Sequence, residues 1–452
     1  MLLVAIGTRG DVEPAVRLGS ALSESGDEVV VGVLADGAVA VEDAGLTPLV
    51  VGPPADEAMW WRSPGARQLA LRHPGAMYLQ TRGRLARQAE GIAAALSPLL
   101  LPGAGRGHHH PWHGPADLVV CGLATAGLVP VLTRTGLPAR LVLHAPLLPH
   151  PGGTSAWARE LTDALPPAVE AGRQALLWSL TRGLSSALAR AHARRLAGRQ
   201  PRAHGGAAAP QSPPAPLLAT SRVLDPEPSP EAVQTGWWAD PRAVRPLPPS
   251  VESWLAGHPG AVLLSLGSTA QHDPEHQVAR LAHVAALAGV PAVVQVDGAR
   301  TGPRPAGGEQ GSHGPDAGGV LVVGDVDHRA LLPRLRAVVH HGGSGTTHVA
   351  AAAGRPQLVV PHLGDQPHYG RQVGRAGLGP RAVPHTRASV PVLAGALADL
   401  LQDPAYARAA TVAAARMASE DGLSRAVEEL ATSAPRRTAV ARPRASSSRR
   451  TP

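Results

Sequence analysis

The chain of 452 residues contains no phenylalanine, no lysine and no asparagine, and it has a single cysteine, Cys121. One cysteine excludes an intrachain disulfide and a metal site built from several thiolates, and it favours a reducing compartment. The absence of lysine excludes a Walker-type phosphate loop, which needs that side chain. Because the missing residue types have A/T-rich codons, we interpret the bias as that of a G/C-rich genome and not as selection for a function.

Long hydrophobic runs are also missing from the sequence. No stretch of about 18 apolar residues occurs, so the sequence predicts no membrane span. Residues 1–7 lack a basic region and lead directly into Thr8-Arg9-Gly10-Asp11, which is unlike a signal peptide. We therefore expect a cytoplasmic protein.

The charge balance is basic, with a formal net charge of +8 at pH 7, which alone would indicate a nucleic-acid partner. Residues 435–452 contain six arginines and no acid, so this segment accounts for +6 of the +8 and leaves about +2 elsewhere. We therefore predict no nucleic-acid partner and interpret residues 434–452 as a disordered basic tail. Weak attachment of this tail to an anionic membrane surface is the alternative role.

Apolar runs alternate with amphipathic stretches along most of the chain, which is typical of parallel sheets with crossover helices. The length favours two or three domains. Expected strands are residues 2–6, 28–34, 47–51, 118–121 and 141–144, then residues 261–266, 291–296, 320–323, 337–340 and 357–360. Residues 240–250 are rich in proline and separate the two series, and residues 298–318 are interpreted as a glycine-rich insertion. We predict an α/β protein with domains at 1–240 and 251–433 and a ligand cleft at the carboxyl ends of both sheets.

The strongest local signal is the sequence VVHHGGSGTTH at residues 338–348. An apolar strand ends there, three glycines allow the backbone to approach a ligand, and a helix is expected to begin at about Ser344. Free amide groups and the positive helix end would then face outward as an anion site. Many glycine-rich turns only reverse the chain, so the neighbouring imidazole and hydroxyl groups are what favour a binding function.

A second strand end carries the sequence HLGDQ at residues 362–366. Asp365 and Gln366 should project from the same sheet edge as the glycine turn. A carboxylate beside an amide suits the hydroxyl groups of a sugar. From the local residues alone, a turn with a helix cap before Pro367 fits equally well.

Two separated segments carry a family resemblance. Residues 324–379 resemble the donor-binding segment of inverting glycosyltransferases with the GT-B fold. Residues 7–14, GTRGDVEP, resemble the amino-terminal motif of sterol glucosyltransferases and of antibiotic glycosyltransferases of the vancomycin type. One segment falls in each predicted domain, so their joint occurrence is much more specific than either alone, and the general pattern extends over most of residues 1–433. The resemblance implies two Rossmann-like domains facing a cleft, with final helices, at about residues 404–429, that cross back to the first domain.

On the donor side, the resemblance implies that a nucleotide diphosphate sugar binds in the cleft without a cofactor. The nucleotide base would lie against residues 322–328, which include Val326. The diphosphate and the sugar would contact Gly267, Ser268, His341, Gly343, Ser344, Gly345, Thr346, Asp365 and Gln366. A helix start with unpaired amides offers roughly half a positive charge to a leaving diphosphate, so no metal ion is needed.

Asp11 is the candidate general base, because it matches the family's amino-terminal motif and follows the first strand at a sharp glycine turn. There it would take a proton from an acceptor hydroxyl while the oxygen attacks the anomeric carbon with inversion. The rival interpretation makes Asp11 the N-cap of a helix that starts near Glu13, with Pro14 in its first turn. Weaker candidates, for acceptor contacts, are Arg9, Trp60 and His144, and core packing is the alternative role of Trp60 and His144.

Two further motifs have the residue types of a metal site. Asp325-Val326-Asp327 resembles the DxD motif of the other large glycosyltransferase fold, but its surroundings match the GT-B family, so we expect a surface loop without metal. The histidines within residues 108–113 lack a carboxylate or thiolate partner and are more typical of a solvated loop.

The sequence therefore predicts a hexosyltransferase that uses a nucleotide diphosphate sugar, with UDP-glucose as the first candidate. The acceptor would be a hydroxyl of an apolar molecule such as a sterol, another lipid or a polyketide-type aglycone. Two alternatives stay open: a sugar-nucleotide epimerase on the same fold, and a nucleotide-sugar-binding partner protein that has lost turnover. The joint presence of the base and donor residues argues against that loss: Asp11, Ser268, His341, Asp365 and Gln366.

Overall fold

The computed structural model describes residues 1–54, 74–100, 116–150, 166–196, 212–240, 242, 244–267, 273–296, 301–304, 319–362 and 364–433. The predicted basic tail, Trp60, Ser268 and the histidines at 108–113 lie outside these described residues. Among the described helices, none combines the length and the apolar character needed to cross a membrane.

The first sheet consists of seven parallel strands. Their bounds are β1 Leu2–Ala5, β2 Val30–Leu34, β3 Thr47–Gly52, β4 Val119–Cys121, β5 Ala139–Leu143, β6 Leu217–Leu218 and β7 Val233–Gln234. The spatial order is β3-β2-β1-β4-β5-β6-β7. All residues of β1, β2 and β5 are buried, as expected of parallel strands covered on both faces. The five strands predicted in this part of the chain are confirmed, whereas β6 and β7 were not predicted.

The described helices of this part of the chain cover both faces of the sheet. They are α1 Arg9–Glu24, α2 Ala38–Glu42, α3 Pro74–Leu100, α4 Leu128–Arg134, α5 Pro167–Leu184 and α6 Ser186–Leu196. Neighbouring residues of β1 point to opposite faces: Leu3 shares a core with Val16 of α1, and Leu2 shares another with Leu96 of α3. The first sheet is therefore a middle layer between two layers of helix.

The second sheet has six strands, at β8 Val262–Ser265, β9 Ala292–Gln295, β10 Gly302–Arg304, β11 Val320–Val323, β12 Val338–His340 and β13 Gln357–Val359. Their spatial order is β10-β11-β9-β8-β12-β13. The five predicted strands are confirmed and are parallel to one another. The edge strand β10 is antiparallel to β11 and lies within the segment that the sequence indicated to be only an insertion.

Eight helices are described after residue 248: α7 Pro249–Gly257, α8 Pro274–Ala288, α9 His328–Leu331, α10 Ser344–Ala352, α11 Gln366–Arg375, α12 Val390–Gln402, α13 Pro404–Ala418 and α14 Gly422–Ser433. The helix α14 returns to the first domain, where Leu430 is buried in the same core as Val16. The helix α13 contributes Ala410 and Met417 to a core that holds Val359 of β13 and also Leu224 of the first domain. The expected return to the first domain is therefore complete in α14, whereas α13 packs on residues of both domains.

Glu420 holds the return crossing against the first domain. Its carboxylate accepts hydrogen bonds from Ser221 Oγ at 2.9 Å, from Arg222 N at 2.9 Å and from Trp237 N at 3.0 Å. A Cβ on the nearby Gly422 would lie 2.3 Å from the carbonyl oxygen of Trp237, so only glycine fits there. Glu420 and Gly422, where the chain returns to the first domain, are therefore fixed against the segment that leads into the linker between the domains.

That linker is held by an ionic cluster around Asp240, whose side chain is only 5% exposed. The Asp240 carboxylate lies 3.7 Å from Arg17 of α1, 2.6 Å from Arg242 and 3.8 Å from Arg329 of α9. Arg329 also donates a hydrogen bond of 2.8 Å to the carbonyl oxygen of Arg242. The proline-rich segment that the sequence indicated to be a boundary is thus bound to both domains.

Candidate active site

Asp11 lies at the carboxyl edge of the first sheet, in the first turn of α1. Thr8 is the N-cap of this helix, and the backbone N–H of Thr8 donates to Asp11 Oδ2 at 2.8 Å. The predicted helix start near Glu13 is wrong by about one turn, and Pro14 lies inside the helix. Asp11 therefore helps to cap the helix through a capping box and is not itself the N-cap.

Gly7 leaves the space that the Asp11 carboxylate occupies. A Cβ on Gly7 would lie 2.0 Å from Asp11 Oδ2 and 2.7 Å from Asp11 Cβ, far inside van der Waals contact. The absence of a side chain at Gly7 is thus what allows the carboxylate to turn back over the strand end.

The environment of Asp11 is apolar. Burial raises the pKa of Asp11 above its ordinary value, while the hydrogen bonds from Thr8 act in the opposite direction. Asp11 lines a small cavity of about 20 Å³ together with His144 and Trp238. A carboxylate with a raised pKa beside a space large enough for a hydroxyl group is suited to accept a proton.

His144 faces the same cavity from the end of β5. Its ring meets Trp238 edge to face, with ring centroids 5.6 Å apart. Burial, and then the charge of Arg17, lower the pKa of His144 to about 4, so the imidazole is neutral at neutral pH. The structure therefore brings His144 and Asp11, two residues predicted from separate parts of the sequence, to one cavity.

His341 lies in the glycine turn of the second domain, and its ring is enclosed by two glycines. A Cβ on Gly267, where φ is +73°, would lie 2.8 Å from His341 Nδ1, and one on Gly343 would lie 2.5 Å from Nε2. Burial, and then the charge of His328, lower the pKa of His341 to about 4. Its buried Nδ1 has no hydrogen-bond partner among the described residues, so this nitrogen is a candidate contact for a ligand.

The helix α10 begins at Ser344, as the sequence predicted, with Gly343 as its N-cap. Gly345 is exposed and Thr346 is half-buried, and backbone N–H groups of a first turn have no acceptor within the helix. The Ser344 hydroxyl instead donates to the carbonyl oxygen of His144 at 2.7 Å. The Ser344 side chain therefore links the two domains.

Asp365 and Gln366 lie at the start of α11, beside the glycine turn. Burial, and to a smaller degree the charge of Asp11, raise the pKa of Asp365 to about 6, while a hydrogen bond from the backbone of Ser344 acts in the opposite direction. Gln366 is buried, and its side-chain oxygen accepts a hydrogen bond of 2.8 Å from His362 N. Asp365 occupies the N-cap position of α11, but its side chain makes no capping hydrogen bond to this helix.

Arg9 and the Asp325-Val326-Asp327 segment meet across the cleft. Arg9 Nη1 lies 2.6 Å from Asp325 Oδ1, so the structure places the predicted acceptor contact against the second domain. Arg245 binds the other oxygen of Asp325 at 3.0 Å. Asp327 caps α9 and pairs with Arg329 at 2.7 Å, and its side chain is only 8% exposed, so the expected surface loop is wrong for this residue. Val326 is buried in the core beneath them.

Two further polar groups lie close to this site. The sequence placed His328 at the end of the segment expected beside the nucleotide base; its Nε2 lies 2.9 Å from Gln295 Oε1, to which Ser265 Oγ donates at 3.1 Å, so the carboxyl ends of β8 and β9 are joined to the start of α9. Tyr369, for which the sequence predicted no role, is fully buried, and its hydroxyl donates to the carbonyl oxygen of His144 at 3.1 Å. No sequence signal links Tyr369 to His144.

Comparison with known proteins places the chain among proteins of related sequence and fold. The family model described as "Erythromycin biosynthesis protein CIII-like, C-terminal domain" matches residues 305–432. The chain is 30% identical to the vancomycin aglycone glucosyltransferase of Amycolatopsis orientalis, over 91% of its own length and 93% of the relative's. It is 31% identical to the O-mycaminosyltylonolide 6-deoxyallosyltransferase of Streptomyces fradiae, over 94% and 95% of the two chains.

Solved structures have the same fold. The glycosyltransferase SsfS6 of Streptomyces sp. SF2575, complexed with thymidine diphosphate, superposes with a TM-score of 0.59 at 21% identity. The match covers 95% of this chain and 99% of that one. The two α/β domains with largely parallel sheets are therefore those of the GT-B fold.

Proposed function

The chain belongs to the family of antibiotic and natural-product glycosyltransferases of the GT-B fold, and on this premise we propose that it transfers a hexose from a nucleotide diphosphate sugar to a hydroxyl of an apolar aglycone, with inversion. UDP-glucose is the first candidate donor, and a thymidine diphosphate sugar is the second, because the solved relative SsfS6 was complexed with thymidine diphosphate. The acceptor class is a polyketide-type aglycone, a sterol or another lipid.

The observation that carries this proposal is a contact that joins the two halves of the site: Ser344 Oγ, at the start of α10, donates to the carbonyl oxygen of His144 at 2.7 Å, and His144 lines the cavity at Asp11. Asp11 and Asp365 come from different domains, and the negative charge of Asp11 is one of the smaller causes of the raised pKa of Asp365. A reacting sugar held by one carboxylate would therefore have the other within reach of the incoming hydroxyl. This arrangement supports transfer to an acceptor.

In the proposed reaction Asp11 takes the proton of the acceptor hydroxyl. The acceptor oxygen forms a bond to the anomeric carbon as the bond from that carbon to the diphosphate oxygen breaks, and the nucleoside diphosphate leaves with the electron pair. Burial favours this role, because the raised pKa makes Asp11 a stronger base than an exposed aspartate.

The leaving diphosphate would bind to neutral groups and to a helix end. His341 would donate from its unpartnered Nδ1, and the first-turn amides of Gly345 and Thr346 would donate from the start of α10. Hydrogen-bond donors that are already fixed in place stabilise developing negative charge without reorganising. Asp365 and Gln366 would hold the sugar hydroxyls, and no metal ion takes part in these steps.

The decisive experiment incubates the chain with UDP-glucose, and in parallel with TDP-glucose, in the presence of a panel of aglycones. Acceptor-dependent release of the nucleotide, with a product heavier by one hexose, supports the proposal, and the anomeric configuration of that product tests inversion. Nucleotide release that is equal with and without acceptor would instead favour hydrolysis or epimerisation. Binding without any release would favour a partner protein.

The Asp11→Asn variant tests the base. We expect the transfer rate to fall by about 10²- to 10⁴-fold, the usual contribution of general base catalysis, with nucleotide affinity unchanged. Asp43→Asn, which alters an exposed aspartate of the same domain, is the matched control and should keep full activity. Equal rates in the two variants would remove Asp11 from the mechanism.

A further inference from the structure

A groove on the first domain lies between α4, α5 and α6. Its volume of about 380 Å³ falls within the range of roughly 300–1,000 Å³ that is common for small-molecule sites. Neither Asp11 nor His144 lines this groove, so it is separate from the cavity at the proposed base.

Two arginines line the groove. Arg134 at the end of α4 and Arg182 near the end of α5 are exposed. Within the part of the chain that the structure describes, neither guanidinium makes an ion pair, and no acidic residue is among those lining the groove. The positive charge of the groove is therefore not compensated by any acidic side chain of the described residues that line it.

The positions of these arginines explain how their charge is tolerated. Each lies in the last turn of its helix, where the negative end of the helix dipole favours a cation. This lowers the cost of an unpaired guanidinium without using its hydrogen-bond donors. Both side chains consequently keep their planar sets of N–H groups for an external anion.

The other residues that line the groove indicate the chemical class of its ligand. Ser179 adds a hydroxyl group, whereas the Ser186 hydroxyl already donates to the carbonyl oxygen of Gly183 at 2.6 Å, and Pro130 and Val131 make part of the wall apolar. Two guanidinium groups with a neighbouring hydroxyl suit the oxygens of a phosphate group, because arginine binds phosphate through paired hydrogen bonds. We propose that this groove is an accessory binding site for a phosphate group, carried by a soluble phosphate compound or by the headgroup of an anionic lipid.

The test compares two double variants of the full chain. Arg134→Gln with Arg182→Gln removes the charge of the groove, and Arg408→Gln with Arg416→Gln removes the same charge from exposed positions on α13. Binding of inorganic phosphate is measured by calorimetry, and binding of vesicles of phosphatidylglycerol in phosphatidylcholine by cosedimentation. All measurements contain saturating UDP, so that phosphate entering the cleft does not obscure the comparison.

We expect the groove variant to bind at least one probe about tenfold or more weakly than the control variant, as expected when charge-assisted hydrogen bonds are lost. A loss confined to phosphate assigns the site to a soluble ligand, and a loss confined to vesicles assigns it to a lipid headgroup. Equal binding of both probes by the two variants overturns the proposal. Transfer activity is measured separately and should be unchanged in both variants, so this outcome does not depend on the proposed reaction.

Discussion

The space beside Gly7 controls where the Asp11 carboxylate lies. In Gly7→Ala the new methyl group would occupy the position of Asp11 Oδ2, which is only 2.0 Å from an ideal Cβ, so the carboxylate must leave the Thr8 N–H. We expect a fall in the transfer rate of about tenfold or more, since small misplacements of a catalytic group are costly, with nucleotide affinity unchanged. The measurement is steady-state kinetics beside nucleotide calorimetry.

Gly10→Ala provides the matched control for this change. A Cβ on Gly10 meets nothing closer than Thr8 Oγ1 at 3.7 Å, which is an ordinary contact. The control should therefore keep the activity of the unaltered chain. If both variants were equally active, Gly7 would have no part in positioning Asp11.

The pKa of Asp365 predicts a pH dependence of donor binding. Its pKa is raised to about 6, so Asp365 takes up its proton at a higher pH than an ordinary aspartate does. We expect affinity for the nucleotide sugar to weaken as the pH falls through about 6, because a protonated carboxyl accepts fewer hydrogen bonds from sugar hydroxyls. His341, with a pKa of about 4, stays neutral across this window.

The same measurement in Asp11→Asn tests the contact between the two carboxylates. Removing the charge of Asp11 takes away one cause of the raised pKa of Asp365, so the midpoint of the binding curve should move to lower pH. The readout is calorimetric affinity for the donor as a function of pH. A midpoint that does not move would show that the charge of Asp11 does not act on Asp365.

Sequence reasoning identified the polar residues of the site better than it identified their contacts. Gly343 and Ser344 were placed correctly at a helix start because glycine and hydroxyl residues after an apolar strand are a local signal. Pro14 misled the prediction of α1, since proline usually marks a first turn but here lies in the interior of the helix. The contact from Arg9 to Asp325 joins residues 316 positions apart, and no local pattern encodes it.

At the scale of the elements, the linker is held more firmly than its proline-rich composition predicts. A proline-rich segment between two domains is usually interpreted as a loose connection. Here, however, the guanidinium groups of three arginines lie within 4 Å of the Asp240 carboxylate. In Asp240→Asn these guanidinium groups lose their shared counter-charge in a largely buried place. We expect a loss of about 2–3 kcal/mol in the free energy of unfolding, measured by urea denaturation.

Glu252→Gln is the control for the linker variant. Glu252 pairs with Arg334 at 2.6 Å, but both side chains are 45% exposed. Exposed ion pairs contribute about 0–1 kcal/mol, so this variant should be close to the unaltered chain. Equal stability of the two variants would show that the Asp240 cluster does not hold the linker.

The strands that could be predicted from the sequence are those buried on both faces. Parallel strands covered on both faces are continuous apolar runs, and Val320–Val323 was predicted with its observed bounds for this reason. The strands at Leu217–Leu218 and Val233–Gln234 have two residues each, which is too short for any periodic signal. The edge strand Gly302–Arg304 contains a proline and a glycine, two residue types that argue against a strand in sequence alone.

At the scale of the whole molecule, α14 joins the two ends of the chain into one structure. Ala426 and Leu430 of this helix are fully buried in the first domain, and Glu429 pairs with Arg140 at 3.2 Å. A chain that ends at Asp421 would expose this part of the core. We expect its free energy of unfolding to fall by about 3 kcal/mol or more, from the two lost buried side chains and the ion pair.

A chain that ends at Ser433 is the control, because it retains α14 and lacks only the basic segment. Its unfolding midpoint should match that of the full chain. Thermal unfolding followed by circular dichroism compares the three proteins. A shorter chain as stable as the control would mean that α14 contributes nothing to the first domain.

The return of the chain at Glu420 and Gly422 also affects how the enzyme could be recombined with its relatives. The first domain takes one of its outer helices, α14, from the part of the chain that follows the second domain, so a single exchange point in the linker would pair that helix with a foreign core. A hybrid would need a second exchange point between α13 and α14. It would also have to keep Gly422 together with Trp237, because that close approach leaves no room for a side chain. The first domain is thus built from two separate parts of the sequence, although they share one core.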